Sequence, residues 1–170
     1  MGYTTSFEGS FRVDPPLAEH HRAYLQKFSH VRHMRRDASI TATMPDPLRV
    51  AVGLPIGDDA IYYVGSEAPH GQDDSDRTLG LKDFNWEPRG APGLWCNWTP
   101  NHDGSAIEWD EGEKFYSYVE WMQFIIDRFL GPWGYVLSGQ VEYQGERNDD
   151  MGIISIKNGK AIRTQGKTNE

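Results

Sequence analysis

The chain has 170 residues, a single cysteine and a formal net charge of −8. That length suits one domain with its own core, a lone thiol excludes an intrachain disulfide, and the acidity argues against binding nucleic acid by phosphate neutralisation. There is neither an apolar run long enough to span a membrane nor an apolar leader near the start, so the reading is a cytoplasmic protein without a membrane span.

Tyr3, Thr5, Phe7, Phe11 and Val13 share one parity and Thr4, Ser6, Glu8, Ser10 and Arg12 the other, which predicts an opening strand with one wet face. Asp14 as N-cap, Pro15 at the first helical position and the spacing of Leu17, His21, Tyr24, Leu25, Phe28 and Val31 predict a helix over 15–36. Arg32, His33, Arg35 and Arg36 fall at its end, where they would complement the helix dipole. Prolines and glycines then interrupt regular patterning up to Gly93. Within that stretch Leu48–Val52 reads as a helical turn and Ala60–Val64 as a short strand. Segment 65–92 is longer than an ordinary connection, with a flexible tip expected at 67–77 and an ordered, irregular part pinned by Leu79, Leu81, Phe84 and Trp86.

Five of the six tryptophans lie between Gly93 and Gly134. Residues 94–100 and 105–109 predict a hairpin around Asn101–Gly104, with Leu94, Cys96 and Trp98 toward the core and Trp95 away from it. Asp110 and Glu113 have capping-box spacing ahead of the stripe Phe115, Tyr118, Val119, Met122, Ile125, Ile126 and Phe129, and Gly131-Pro132 reads as the stop of that second helix. Residues 135–144 and 152–157 alternate as strands, Asn158-Gly159 signals a tight turn, and Lys160–Arg163 closes the sheet. The expected fold is α+β: a mostly antiparallel sheet with two main helices on one face, most economically an elaborated ferredoxin-like core. It forms a single domain over 1–163 with a flexible tail over 164–170.

The words Gly2-Tyr3-Thr4-Thr5 with Phe7 and Gly9, Gly93-Leu94-Trp95-Cys96, Glu108-Trp109-Asp110 with Gly112-Glu113-Lys114-Phe115, and Gly134-Tyr135-Val136-Leu137 followed by Gly139 and Gln144-Gly145-Glu146 complete the pattern. In these the chain resembles a small uncharacterised family of bacterial and phage proteins. The resemblance covers both ends of the chain and the 38–92 region poorly. It implies a cytoplasmic or phage-encoded protein and brings no activity with it.

No nucleophile triad, metal-ligand cluster or nucleotide fingerprint is present, so no cofactor or metal is expected. Asp103, Glu108, Asp110, Glu111, Glu113, Glu142, Glu146, Asp149 and Asp150 lack calcium-loop order, and Cys96 and the pair His20-His21 read as structural. Carboxylate chemistry would fall to Glu8 and Glu142, which become neighbours if the first and penultimate long strands are adjacent. Recognition is the stronger expectation. Trp95, Trp86 and Tyr62 offer aromatic surface, while Arg35, Arg36 and Arg89 offer guanidinium groups, residue types enriched where proteins bind proteins. The expected function is a non-enzymatic binding protein for a protein partner, such as a host factor. Its alternatives are a binder of a nucleotide-like or other small anionic ligand and a carboxylate-dependent hydrolase. The sequence requires no particular oligomer.

Overall fold

A computed structural model describes residues 2–65 and 80–166. The predicted tip 67–77, Leu79 and the end of the tail lie outside the described residues. In chain order the elements are β1 (Ser6–Gly9), β2 (Phe11–Asp14), α1 (Glu19–Phe28), β3 (Arg35–Arg36), α2 (Ala38–Thr41) and α3 (Pro47–Ala51). They continue with β4 (Leu81–Asp83), β5 (Trp98–Pro100), β6 (Ala106–Trp109), α4 (Tyr118–Ile125), β7 (Val136–Gln144), β8 (Met151–Lys157) and β9 (Lys160–Gln165). This is an α+β fold with a dominant antiparallel sheet and several helices. The chain divides into a sheet unit, Met1–Leu17 with Asn97–Glu170, and an inserted unit, Ala18–Cys96.

In the sheet unit the strand order is β5-β6-β2-β7-β8-β9, with β1 also on β7. Both β1 and β2 hold one register against β7, from Ser6↔Gln144 to Asp14↔Val136, so the opening segment acts as one long strand interrupted at Ser10. The expected alternation is present: Phe7, Phe11, Val13, Leu137, Val141, Tyr143, Ile154 and Ile156 are buried, while Ser6, Glu8, Arg12, Ser138, Gln140, Glu142 and Gln144 are exposed. Asn158 (φ 51°) and Gly159 (φ 77°) make the two-residue turn with both central φ values positive that joins β8 to β9. Strand β9 runs to Gln165, two residues past the predicted end at Arg163, because Thr164 and Gln165 still pair with Ile153 and Gly152.

The second predicted helix begins later and ends later than expected. Asp110 does not cap it. Its carboxylate accepts from Gly112 N (2.8 Å) and Asn97 Nδ2 (3.1 Å), and this local turn outcompetes the capping box. Phe115 therefore packs from a loop, and α4 starts after Ser117. Past Ile125 the helix continues through a π-helical stretch, Ile126–Leu130, and a last turn, Gly131–Trp133. Gly131 is right-handed (φ −60°) rather than a left-handed cap. Pro132 brings no N–H to the ladder, the turn widens so that Tyr135 N reaches Leu130 O at 2.9 Å, and Gly134 (φ 89°) supplies the left-handed stop. Gln123 on α4 also binds the outer edge of the sheet, donating to Gly159 O and accepting from Ala161 N. The core centres on Trp98, whose ring meets Phe7, Phe11 and Phe115 edge-on.

In the inserted unit α1 starts at Glu19 rather than Pro15. Pro16 forces Pro15 out of helical space, and Asp14 is held in β2 opposite Val136. The helix stops at Phe28, so Arg32, His33, Arg35 and Arg36 are not a helix terminus. Instead Arg35–Arg36 is a short strand paired with β4. Leu48–Val52 largely coincides with α3, but Ala60–Val64 is no strand. Asp58–Ala60 is a 3-10 turn, Asp59 (φ 55°) and Ala60 (φ 62°) are left-handed, and Ala60, Ile61, Tyr63 and Val64 are all buried, which a strand with one wet face does not allow. Asp46, just ahead of α3, turns inward and accepts from Val64 N, Gly65 N and Arg49 Nε.

Candidate functional site

The inserted unit carries six of the residues singled out for binding, and the β3–β4 pairing organises several of them around the loop 84–89. Arg35 N donates to Trp86 O (2.8 Å), and its Nε donates to Glu87 O (3.1 Å). One turn of chain earlier, Arg32 Nε donates to Phe84 O (3.1 Å) and Nη2 to Asn85 Oδ1 (3.2 Å), with the guanidinium lying 4.2 Å over the Phe84 ring. The far end of the loop is tied down at Arg89. Its backbone N and its Nε both reach Asp59 Oδ2 at 2.9 Å, and Nη2 reaches Oδ1 at 3.2 Å. Arg35 Nε stands 3.6 Å from the same Oδ2. Asp59 is thus a shared anchor, buried beneath two arginines. The Arg89 hydrogen bonds first, and the charges of Arg89 and Arg35 after them, hold its carboxyl below the usual carboxylate range.

Trp86 stands out from this lattice with 58% of its surface exposed. Arg89 also remains open, its side chain 71% exposed despite the ion pair. The other candidates are placed differently. Arg36 is buried, its guanidinium 4.9 Å over the Tyr63 ring. Tyr62 is half-buried, and its carbonyl accepts from Tyr24 Oη (2.7 Å). Trp95 is half-buried between Leu94, whose carbonyl takes His33 N, and the buried Cys96. No ring contact joins Trp95 to Trp86 among the described residues, so these two aromatic candidates do not stack on one another.

Glu8 and Glu142 lie in the sheet unit. They are direct partners across β1 and β7, and both are exposed. Like charges directly opposite on an antiparallel pair repel. Glu142→Gln is therefore expected to raise the thermal midpoint, more at low ionic strength than at high; a lowered midpoint would mean that this carboxylate makes a stabilising contact. Among the described residues no group of three or more His, Cys, Asp or Glu is arranged to hold a metal. No helix of theirs is long and apolar enough to cross a membrane.

Two constellations were not singled out from sequence. Arg163 Nη1 donates to Tyr118 Oη (3.1 Å), and these two, with Ser117, Val119 and Glu120, line an open cleft of about 330 Å³. Tyr118 and Arg163 are 45 apart in the chain, and only the placement of β9 beside α4 brings them together. The second joins the sequence words quoted above. Tyr3 N donates to Tyr116 Oη, Tyr3 Oη to Asp150 Oδ2 (2.6 Å) and Thr4 N to Glu146 Oε2 (2.6 Å). Gly2 lies so close to Lys114 that a Cβ would meet its side chain. Gly2, Tyr3 and Thr4 thus lock the start of the chain onto two loops, a structural use for those residues and for Lys114 and Glu146.

In comparisons with family models, curated proteins and solved structures, nothing matches this chain.

Proposed function

We propose that the chain is a non-enzymatic, cytoplasmic binding protein that recognises another protein through the loop 84–89. The observation that carries this reading is Trp86, a large aromatic left 58% exposed on a loop that three arginines hold rigid. An exposed tryptophan on a loop costs water-facing apolar area, and a rigid backbone lowers the entropy lost on binding, which together describe a protein-interaction anchor. A small anionic ligand is the weaker variant, because a protruding ring does not enclose a ligand as pockets do. In the context of the resembling bacterial and phage family, the partner is a host factor. The strand order β7-β2-β6-β5, antiparallel throughout, supports an elaborated ferredoxin-like core extended by β8 and β9.

A photo-crosslinking phenylalanine analogue placed at position 86 and, separately, at the exposed Ile162 tests this in the cells that produce the protein. Adducts to one discrete protein from position 86 and none from position 162 are expected. The reverse pattern would move the recognition surface to the sheet unit.

One observation favours a second reading. The register that sets Glu8 against Glu142 supplies the paired carboxylates an acid–base hydrolase uses. If they act so, Glu8→Gln and Glu142→Gln abolish turnover while the fold persists.

A further inference from the structure

The arginines around Trp86 do more than hold the loop. Arg35 donates to protein acceptors through Nε alone, so the N–H groups of Nη1 and Nη2 are open among the described residues. Arg89 spends Nε and Nη2 on Asp59 and leaves Nη1, and Arg32 spends Nε and Nη2 on the loop and leaves Nη1. Arg32 grips the chain just before Trp86 and Arg35 grips it at Trp86 and just after, so the arginines with open donors are bound to the chain on both sides of residue 86. Their positions are fixed by main-chain acceptors and by the buried Asp59, so little side-chain entropy remains to be lost when an acceptor arrives. Of the nearby carboxylates, Asp59 is already shared by two arginines and Asp83 takes Asn85 N, while Asp58 lies near enough to Arg89 for its charge to act on that guanidinium. Fixed, planar, unspent guanidinium edges recognise carboxylates in a two-point geometry that an ammonium group does not reproduce.

Resting on the protein-recognition reading above, we infer that the occupant of this surface is an extended acidic segment of the partner, with carboxylates on the open edges of Arg35 and Arg89 and a neighbouring apolar side chain against Trp86. Such a segment satisfies the donors that the loop leaves open and covers the exposed indole in one step.

The test is an NMR titration of the full chain with short alternating peptides of glutamate and leucine, glutamine and leucine, or lysine and leucine, and with ADP. The glutamate peptide is expected to shift the indole N–H of Trp86 and the Nε–H signals of Arg35 and Arg89, with affinity falling as salt rises. Trp86→Ala is expected to weaken it about tenfold, as the loss of an interface anchor does. Arg35→Lys is also expected to weaken it, the charge being kept and the two-point geometry lost. Circular dichroism and thermal melting confirm that each variant folds. Equal binding of the glutamine peptide would overturn the acidic preference and leave the surface standing. Binding of the lysine peptide alone, or of none of the peptides, would overturn the inference. Shifts from ADP without shifts from the peptides would replace the segment by a small phosphate ligand. Peptide shifts confined to the sheet unit and unchanged in Trp86→Ala would overturn the recognition surface itself.

Discussion

Trp98→Ala is expected to destabilise the protein by about 4 kcal/mol, the cost typical of deleting a buried large aromatic. Trp98 is 1% exposed, its ring lies 5.1 to 5.6 Å from those of Phe7, Phe11 and Phe115, and its Nε1 donates to Tyr118 O at 2.9 Å. Truncation removes the transfer energy of the indole and opens a cavity between β1, β2 and the loop before α4, which those other rings cannot refill without leaving their own contacts. Trp98→Phe is expected to cost less, since an aromatic ring remains, but it loses the hydrogen bond. Urea unfolding of the two variants measures both. A loss below about 1.5 kcal/mol for the alanine variant would show that the site collapses freely and that Trp98 is not the centre of this core.

The second large effect is pH-dependent. His33 is 4% exposed, its Nε2 stands 2.9 Å from Phe28 O, and burial lowers its pKa from 6.5 to about 4, with the Phe28 contact opposing that shift. Because the unfolded chain takes up the proton at a higher pH than the folded one, stability is fully present above pH 6.5 and is lost as pH falls toward 4. Below that value both states are protonated and no more is lost. The span corresponds to about 3 kcal/mol at 1.36 kcal/mol per unit. His33→Gln, which carries an amide donor and does not titrate, is expected to remove this part of the pH dependence. Unfolding free energies of both proteins between pH 7 and pH 4 decide it. Parallel curves would place the acid sensitivity elsewhere.

The two predictions concern elements that were unequally readable. The alternation of β7 to β9 is legible because one face is buried and the other wet, and Asn158-Gly159 fixes the hairpin through local chemistry alone. Glu8 beside Glu142 followed only on the condition that the first and penultimate long strands are adjacent, which the pairing of β1 with β7 meets. Local reasoning failed where a residue has two good local uses: Asp110 had capping-box spacing, but Asn97 and the Gly112 amide claim its carboxylate. Gly131 looked like a stop, yet the stop is three residues on, because a proline widens a helix before it ends it. For the candidate surface, sequence supplied residue types without pairings. Arg89 and Asp59 are 30 positions apart, and the left-handed backbone that presents Asp59 has no glycine to announce it. Arg36 and Trp86 differ in burial, 3% against 58%, for reasons set wholly by tertiary packing.

The interrupted connectivity of the sheet unit governs the order in which the protein is made. Phe11 must wait for Ile107, and Val13 for Leu137, before either finds its partner. The residues of the inserted unit, by contrast, leave the ribosome as one uninterrupted stretch. Closing the sheet therefore carries the longer loop-closure cost, whereas the contacts that hold Trp86 and its arginines close shorter loops, of about 30 to 50 residues. During synthesis all residues of the recognition loop are out of the ribosome before β6 can pair with β2, and β1 has no strand partner until β7 emerges.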